Sequence, residues 1–110
     1  MKTALSILII LHGLIHLLGF TKAFNLASVN QLTQHISKVN GVLWLVAAIL
    51  FVTTAILFFI EKEWWWVLSV FAIIISQYLI FKSWQDAKMG TIANVIILLI
   101  IVIGYKIIHK

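Results

Sequence analysis

The chain has 110 residues, 64% of them hydrophobic and 10% charged, with no proline and no cysteine; its net charge is +5 and its mean hydropathy +1.16. Soluble domains run at roughly 45–50% apolar and ~25% charged, so the composition excludes a water-soluble globule. The missing cysteines exclude a disulfide framework, a thiolate metal site and a cysteine nucleophile.

A helix needs about 20 mainly apolar residues to cross ~30 Å of hydrocarbon. Four segments meet this, at about 3–20, 41–60, 64–81 and 89–105. Each is expected to be helical, because an unpaired backbone group has no partner in lipid. The fold expected is all-α: residues 1–110 form one integral membrane four-helix bundle. The first segment has the basic start of a signal peptide, but His12 and His16 interrupt its apolar run and no small-x-small cleavage site follows.

Between the first two spans, Ser28 and Gln31 have capping-box spacing, and Leu26, Val29, Leu32, Ile36 and Val39 recur at helical intervals. This predicts a short interfacial amphipathic helix at about 28–38, with Asn40-Gly41 as the turn into span two. Only Glu61-Lys62-Glu63 separates spans two and three, so these form a tight antiparallel hairpin. Trp64-Trp65-Trp66 then reads as an anchor at headgroup level. Before the last span, Gly90 permits a tight approach or turn, and Thr91 can bond its own helix terminus.

Polar residues inside the spans are few. At 100° per residue His12, His16, Gly19 and Ala23 share a stripe about 60° wide, which is expected to face other helices. Ser69, Ile73 and Ser76, with Gln77 beside them, share a face of span three. Asn94, Leu98, Ile101 and Tyr105 share one of span four, and span two offers Ala47, Ala48, Thr54 and Ala55. These faces predict a narrow polar seam through the bundle, with Ser76, Gln77 and Asn94 as partners for the histidines. At one mouth of the bundle, Lys22, Lys82, Asp86 and Lys88 form either a solvated loop region or a site for a lipid headgroup or anion.

Several chemistries compete for His12 and His16. They can staple helices, or serve as a proton or polar-ligand site. A metal would find two ligands at i, i+4 but no Asp, Glu or Cys within a span. Haem would need its two axial ligands from two copies of the chain. No catalytic set is visible, neither paired carboxylates nor a phosphate loop nor a nucleophile elbow. The expectation is therefore a non-enzyme without a metal or haem cofactor.

The run His12-Gly13-Leu14-Ile15-His16-Leu17-Leu18-Gly19-Phe20-Thr21-Lys22-Ala23-Phe24 resembles the opening of small uncharacterised bacterial membrane proteins with an HGxIHLxGFxKAF pattern. The run from Asp86 through Gly90 and Thr91 to Asn94 is similar to their second recurring segment. More distantly, Gly13, Gly19 and Lys22 resemble the first span of DoxX-like four-helix proteins, which implies a small membrane subunit of a redox or respiratory system. In length and span count the chain is also similar to small multidrug exporters, but it lacks the glutamate in span one that couples protons to export.

The expected role is a non-enzymatic accessory or scaffold module in a bacterial inner membrane, binding a lipid, quinone or protein partner through the His12/His16 face. A minimal dimeric transporter and a haem- or metal-binding redox subunit are the alternatives. The partners expected are the bilayer and a second copy or another membrane protein. Nucleic acid is not expected, because the lysines are scattered over two membrane faces. The lysines divide evenly, with Lys2, Lys62, Lys106 and Lys110 on the side of the termini and Lys22, Lys38, Lys82 and Lys88 opposite. The N-terminal amine tips the tally toward cytoplasmic termini.

Overall fold

The computed structural model of the chain describes residues 2–26 and 36–108. Among the described residues there is no strand. The elements are α1 (Lys2–Ile15), α2 (Leu17–Ala23), α3 (Lys38–Phe59), α4 (Trp65–Lys82), α5 (Trp84–Ala87) and α6 (Gly90–Ile108). Among the described residues three helices are long and apolar enough to cross a membrane: Thr3–Ala23, which takes in α1 and α2, then Lys38–Phe59 and Trp65–Lys82. The stretch Gly90–Ile103 of α6 is apolar but shorter.

α3 is the central element, with α1 and α2 along one side and α4 along another; α6 packs on α4 and meets α1 only briefly. Small residues set these distances. A Cβ on Gly13 would stand 2.7 Å from the Cβ of Phe51, and one on Gly19 would overlap the indole of Trp44. The core has two parts. Ile9, Phe51, Ala55, Trp65, Ala72, Ile97 and Ile101 fill one end, while Ala23, Ile36, Trp44, Ala47 and Leu79 fill the other.

The chain leaves α2 and α3 by the same device. Asn25 (φ 53°) and Glu61 (φ 62°) are left-handed. Leu26 N–H reaches back to the Thr21 carbonyl at 3.0 Å, and Lys62 N–H to that of Leu57 at 2.9 Å, which satisfies helix-end carbonyls.

Several local expectations change. Residues 27–35, most of the predicted amphipathic helix, lie outside the described residues; Ile36 and Ser37 are not helical. Span two does not begin at Asn40-Gly41. It begins at Lys38, because the Ser37 side chain accepts the Asn40 N–H at 3.2 Å and caps the helix.

The three tryptophans do not act as one anchor. Trp64 is 70% exposed, but Trp65 is buried, its indole 4.9 Å from the ring of Phe58. Successive residues on a helix point 100° apart, so three in a row cannot share a face. Leu98 is exposed and the inner face of α6 runs Asn94, Ile97, Ile101, because Ile97 fills the core beside Ile9 and Phe51.

Candidate functional site

The site is built around a break in the first span. In a regular helix the His16 N–H would bond the His12 carbonyl. Here it bonds Gly13 at 3.0 Å, and the His16 imidazole takes the vacated acceptor, Nδ1 donating to the His12 carbonyl at 2.8 Å. A side chain replacing a backbone donor tightens the turn and separates α1 from α2 at this single residue.

That bond fixes the direction of all the others. A carbonyl only accepts, so the proton of a neutral His16 is on Nδ1 and Nε2 carries a lone pair. Nε2 takes the Ser76 hydroxyl proton at 2.7 Å. Ser76, its proton committed, accepts from Asn94 Nδ2 at 3.1 Å; the 3.4 Å approach of Asn94 Oδ1 to the same hydroxyl then carries no proton. The other Asn94 amide proton goes to Gln77 Oε1 at 3.1 Å, and Gln77 Nε2 donates to Thr91 Oγ1 at 2.9 Å. Asn94 Oδ1 is thus the acceptor for His12 Nε2–H at 2.8 Å. His12 therefore carries its proton on Nε2, with a lone pair on Nδ1.

The structure thus brings His12, His16, Ser76, Gln77 and Asn94 together from α1, the α1–α2 break, α4 and α6. The two imidazoles meet edge to face, centroids 4.8 Å apart, and both rest on Phe51. Trp44 lies 5.3 Å from His16. Of the buried stripe His12, His16, Gly19 and Ala23, the two smaller members face α3 at close range.

The polar seam does not run the length of the bundle. Ser69 and Thr54 are enclosed without a hydrogen-bond partner among the described residues, as is Ser6. Ser69 is two turns, ~10 Å, from Ser76 along α4, and apolar Phe51 and Ala72 fill the same region.

Beside the cluster, where α1 and α6 barely touch, lies a cleft of about 440 Å³. His12, Ile15 and Leu18 form one wall and Met89, Gly90 and Ala93 the other, with buried Trp44 and Ile80 also contributing. Both nitrogens of His16 are engaged. His12 Nδ1 and the Trp44 indole N–H are the polar side-chain atoms of the wall with no hydrogen bond among the described residues.

The lysine group behaves differently. Lys88 sits between Ala87 and Met89 of the cleft wall and is exposed, as is Lys82, whose ammonium lies 5.8 Å from the Tyr78 ring centre. Lys22 is half-buried on α2. Asp86 falls in α5, its side chain outside the described residues.

The donor atoms of the pair are largely committed. Both nitrogens of His16 and Nε2 of His12 are used within the protein, and among the described residues no three His, Cys, Asp or Glu gather.

Sequence reasoning missed Thr91, expected to bond its own terminus, and the aromatic floor of Phe51 and Trp44. The spacing of Thr91 and Asn94, one turn apart on a helix, was the available signal. Comparison with protein-family models, curated proteins and solved structures gives no match.

Proposed function

We propose that the chain is a non-enzymatic accessory module of a bacterial inner membrane that holds one amphiphile, of the lipid or quinone class, in the cleft beside His12. The distribution of residues supports the membrane. Polar His12, His16, Ser76 and Asn94 are buried, while Ile7, Leu11, Ile49, Phe71, Ile74, Val95 and Leu99 point outward. That is inside-out for water and suits lipid. The molecule is 45 Å long, matching ~40–45 Å for a bilayer with its headgroup regions. Resemblance of the first span to small bacterial membrane proteins supports the inner membrane.

One observation carries the binding role: an apolar cleft of ligand size, about 440 Å³, is edged by an imidazole held rigidly by its neighbours. Small-molecule sites span roughly 300–1,000 Å³ and have apolar walls with few polar groups. The polar network serves as the frame of that site, since it ties α1, α4 and α6 together on the cleft's border.

Native mass spectrometry of protein extracted with its lipids tests the reading. The protein is expected to retain one small amphiphile per chain. Ala93→Phe, which fills the cleft and replaces none of the hydrogen-bonded residues, is expected to lose it while melting at the same temperature. A wild-type protein that retains nothing and takes up no added quinone or lipid overturns the proposal.

A further inference from the structure

We infer that the cleft selects its occupant by a headgroup that donates a hydrogen bond: an alcohol or phenol hydroxyl on an apolar chain, accepted by Nδ1 of His12. The inference rests on the amphiphile-binding reading above and adds the polarity of recognition. That polarity descends from one backbone carbonyl. The His12 carbonyl fixes the proton of His16 on Nδ1, so Ser76 must donate to His16 and accept from the Asn94 amide. Asn94 is then left to accept the proton of His12 Nε2. Turning the Asn94 amide over would set its oxygen against a Ser76 oxygen whose proton is already used. A neutral His12 therefore offers a lone pair on Nδ1.

Position agrees with polarity. His12 Cε1 lies 4.0 Å from where a Cβ of Gly90 would stand, so this ring edge faces the glycine in the cleft wall. Nδ1 adjoins Cε1, on the side away from Asn94. His12 is only 6% exposed, and Nδ1 has no partner among the described residues, yet it is not one of the fully enclosed unpartnered atoms. A buried acceptor left open at an apolar cleft favours a donor over an ether or carbonyl of equal size, because the wrong headgroup leaves both oxygen and nitrogen lone pairs unpaired.

Glycerolipids with a free hydroxyl and reduced quinones both carry this chemistry. Para-decylphenol and its methyl ether, in which a methyl group replaces the donor proton, serve as the probe pair, with detergent-solubilised full-length protein. The phenol is expected to bind about tenfold more tightly than the ether. It is also expected to move the ¹⁵N resonance of His12 Nδ1, which the ether leaves in place; this readout needs no substitution. A second pair, decylhydroquinone and dioctanoylglycerol, tells the sources apart: the tighter binder names the pool, and either order supports the inference. Equal binding of phenol and ether with a stationary Nδ1 resonance overturns the inference and leaves amphiphile binding intact. A preference for the ether overturns it too and moves recognition to the Trp44 N–H. If neither probe binds, both the inference and the reading beneath it fall.

Discussion

Loss of the Asn94 side chain strands groups on two other helices at once. It accepts from His12 on α1 and donates to Ser76 and Gln77 on α4. Buried groups left unpaired cost roughly 1–3 kcal/mol each in proteins, and hydrogen bonds between membrane helices average nearer ~0.6 kcal/mol. Asn94→Leu is therefore expected to lower stability by about 1–3 kcal/mol, read as an earlier unfolding midpoint in detergent; Val95→Ala, on the exposed side of the same helix, barely moves it. Asn94→Asp, as the carboxylate, is expected to cost more than Asn94→Leu, because it faces the Gln77 oxygen and the Ser76 lone pair with acceptors only. At this scale much was legible. His12 and His16 stand one turn apart, and few other polar residues occur within the spans. The proton directions were not legible, since they depend on a helix break that no periodicity announces. The Gln77–Thr91 bond was hidden for a related reason: it needs the register between α4 and α6.

The elements show how close approach is secured. Gly13 and Gly19 let α1 and α2 lie against α3, and Trp44 fills the space a side chain at position 19 would take. Gly19→Ala is expected to destabilise by about 1–3 kcal/mol through overpacking. Adding Trp44→Leu should recover part of that loss, a coupling that a double-mutant cycle measures. Without such recovery, the defect lies in the helix itself and not in its contact with α3. The tryptophan run sets a second contrast. Trp65→Ala removes a fully packed indole and is expected to cost about 3–5 kcal/mol, whereas Trp64→Ala, at an exposed position, changes the midpoint by a few tenths at most. Equal effects would mean that both indoles act at the membrane surface. Apolar run lengths made the helices legible, but which of three adjacent indoles turns inward depends on where α4 starts. Likewise Ser37, and not the more conspicuous Asn40-Gly41, starts α3, because a cap is decided by one hydroxyl reaching one N–H.

For the whole molecule the governing fact is an apolar exterior around buried polar residues, an arrangement that suits lipid better than water. In a four-span arrangement the α3–α4 turn and the α5 segment lie on opposite faces of the bilayer. The chain has no cysteine of its own, so single cysteines can report this without a background to remove. Glu63→Cys and Gln85→Cys are suitable because both positions are exposed and neither change alters the lysine tally. An impermeant maleimide applied to intact spheroplasts is expected to label one and spare the other, and labelling of both from outside rejects the four-span topology. The tally itself makes orientation a sensitive quantity. In the four-span arrangement four lysines fall on each side, and basic residues near the ends of spans set orientation while acids contribute little. One charge can therefore tip the balance. With cytoplasmic termini favoured only by the N-terminal amine, Lys88→Gln, combined with each reporter, is expected to fix one orientation completely. Lys62→Gln is expected to give a mixed population, with both reporters partly labelled. If neither lysine matters, orientation is set by the hydrophobic spans and not by their flanks.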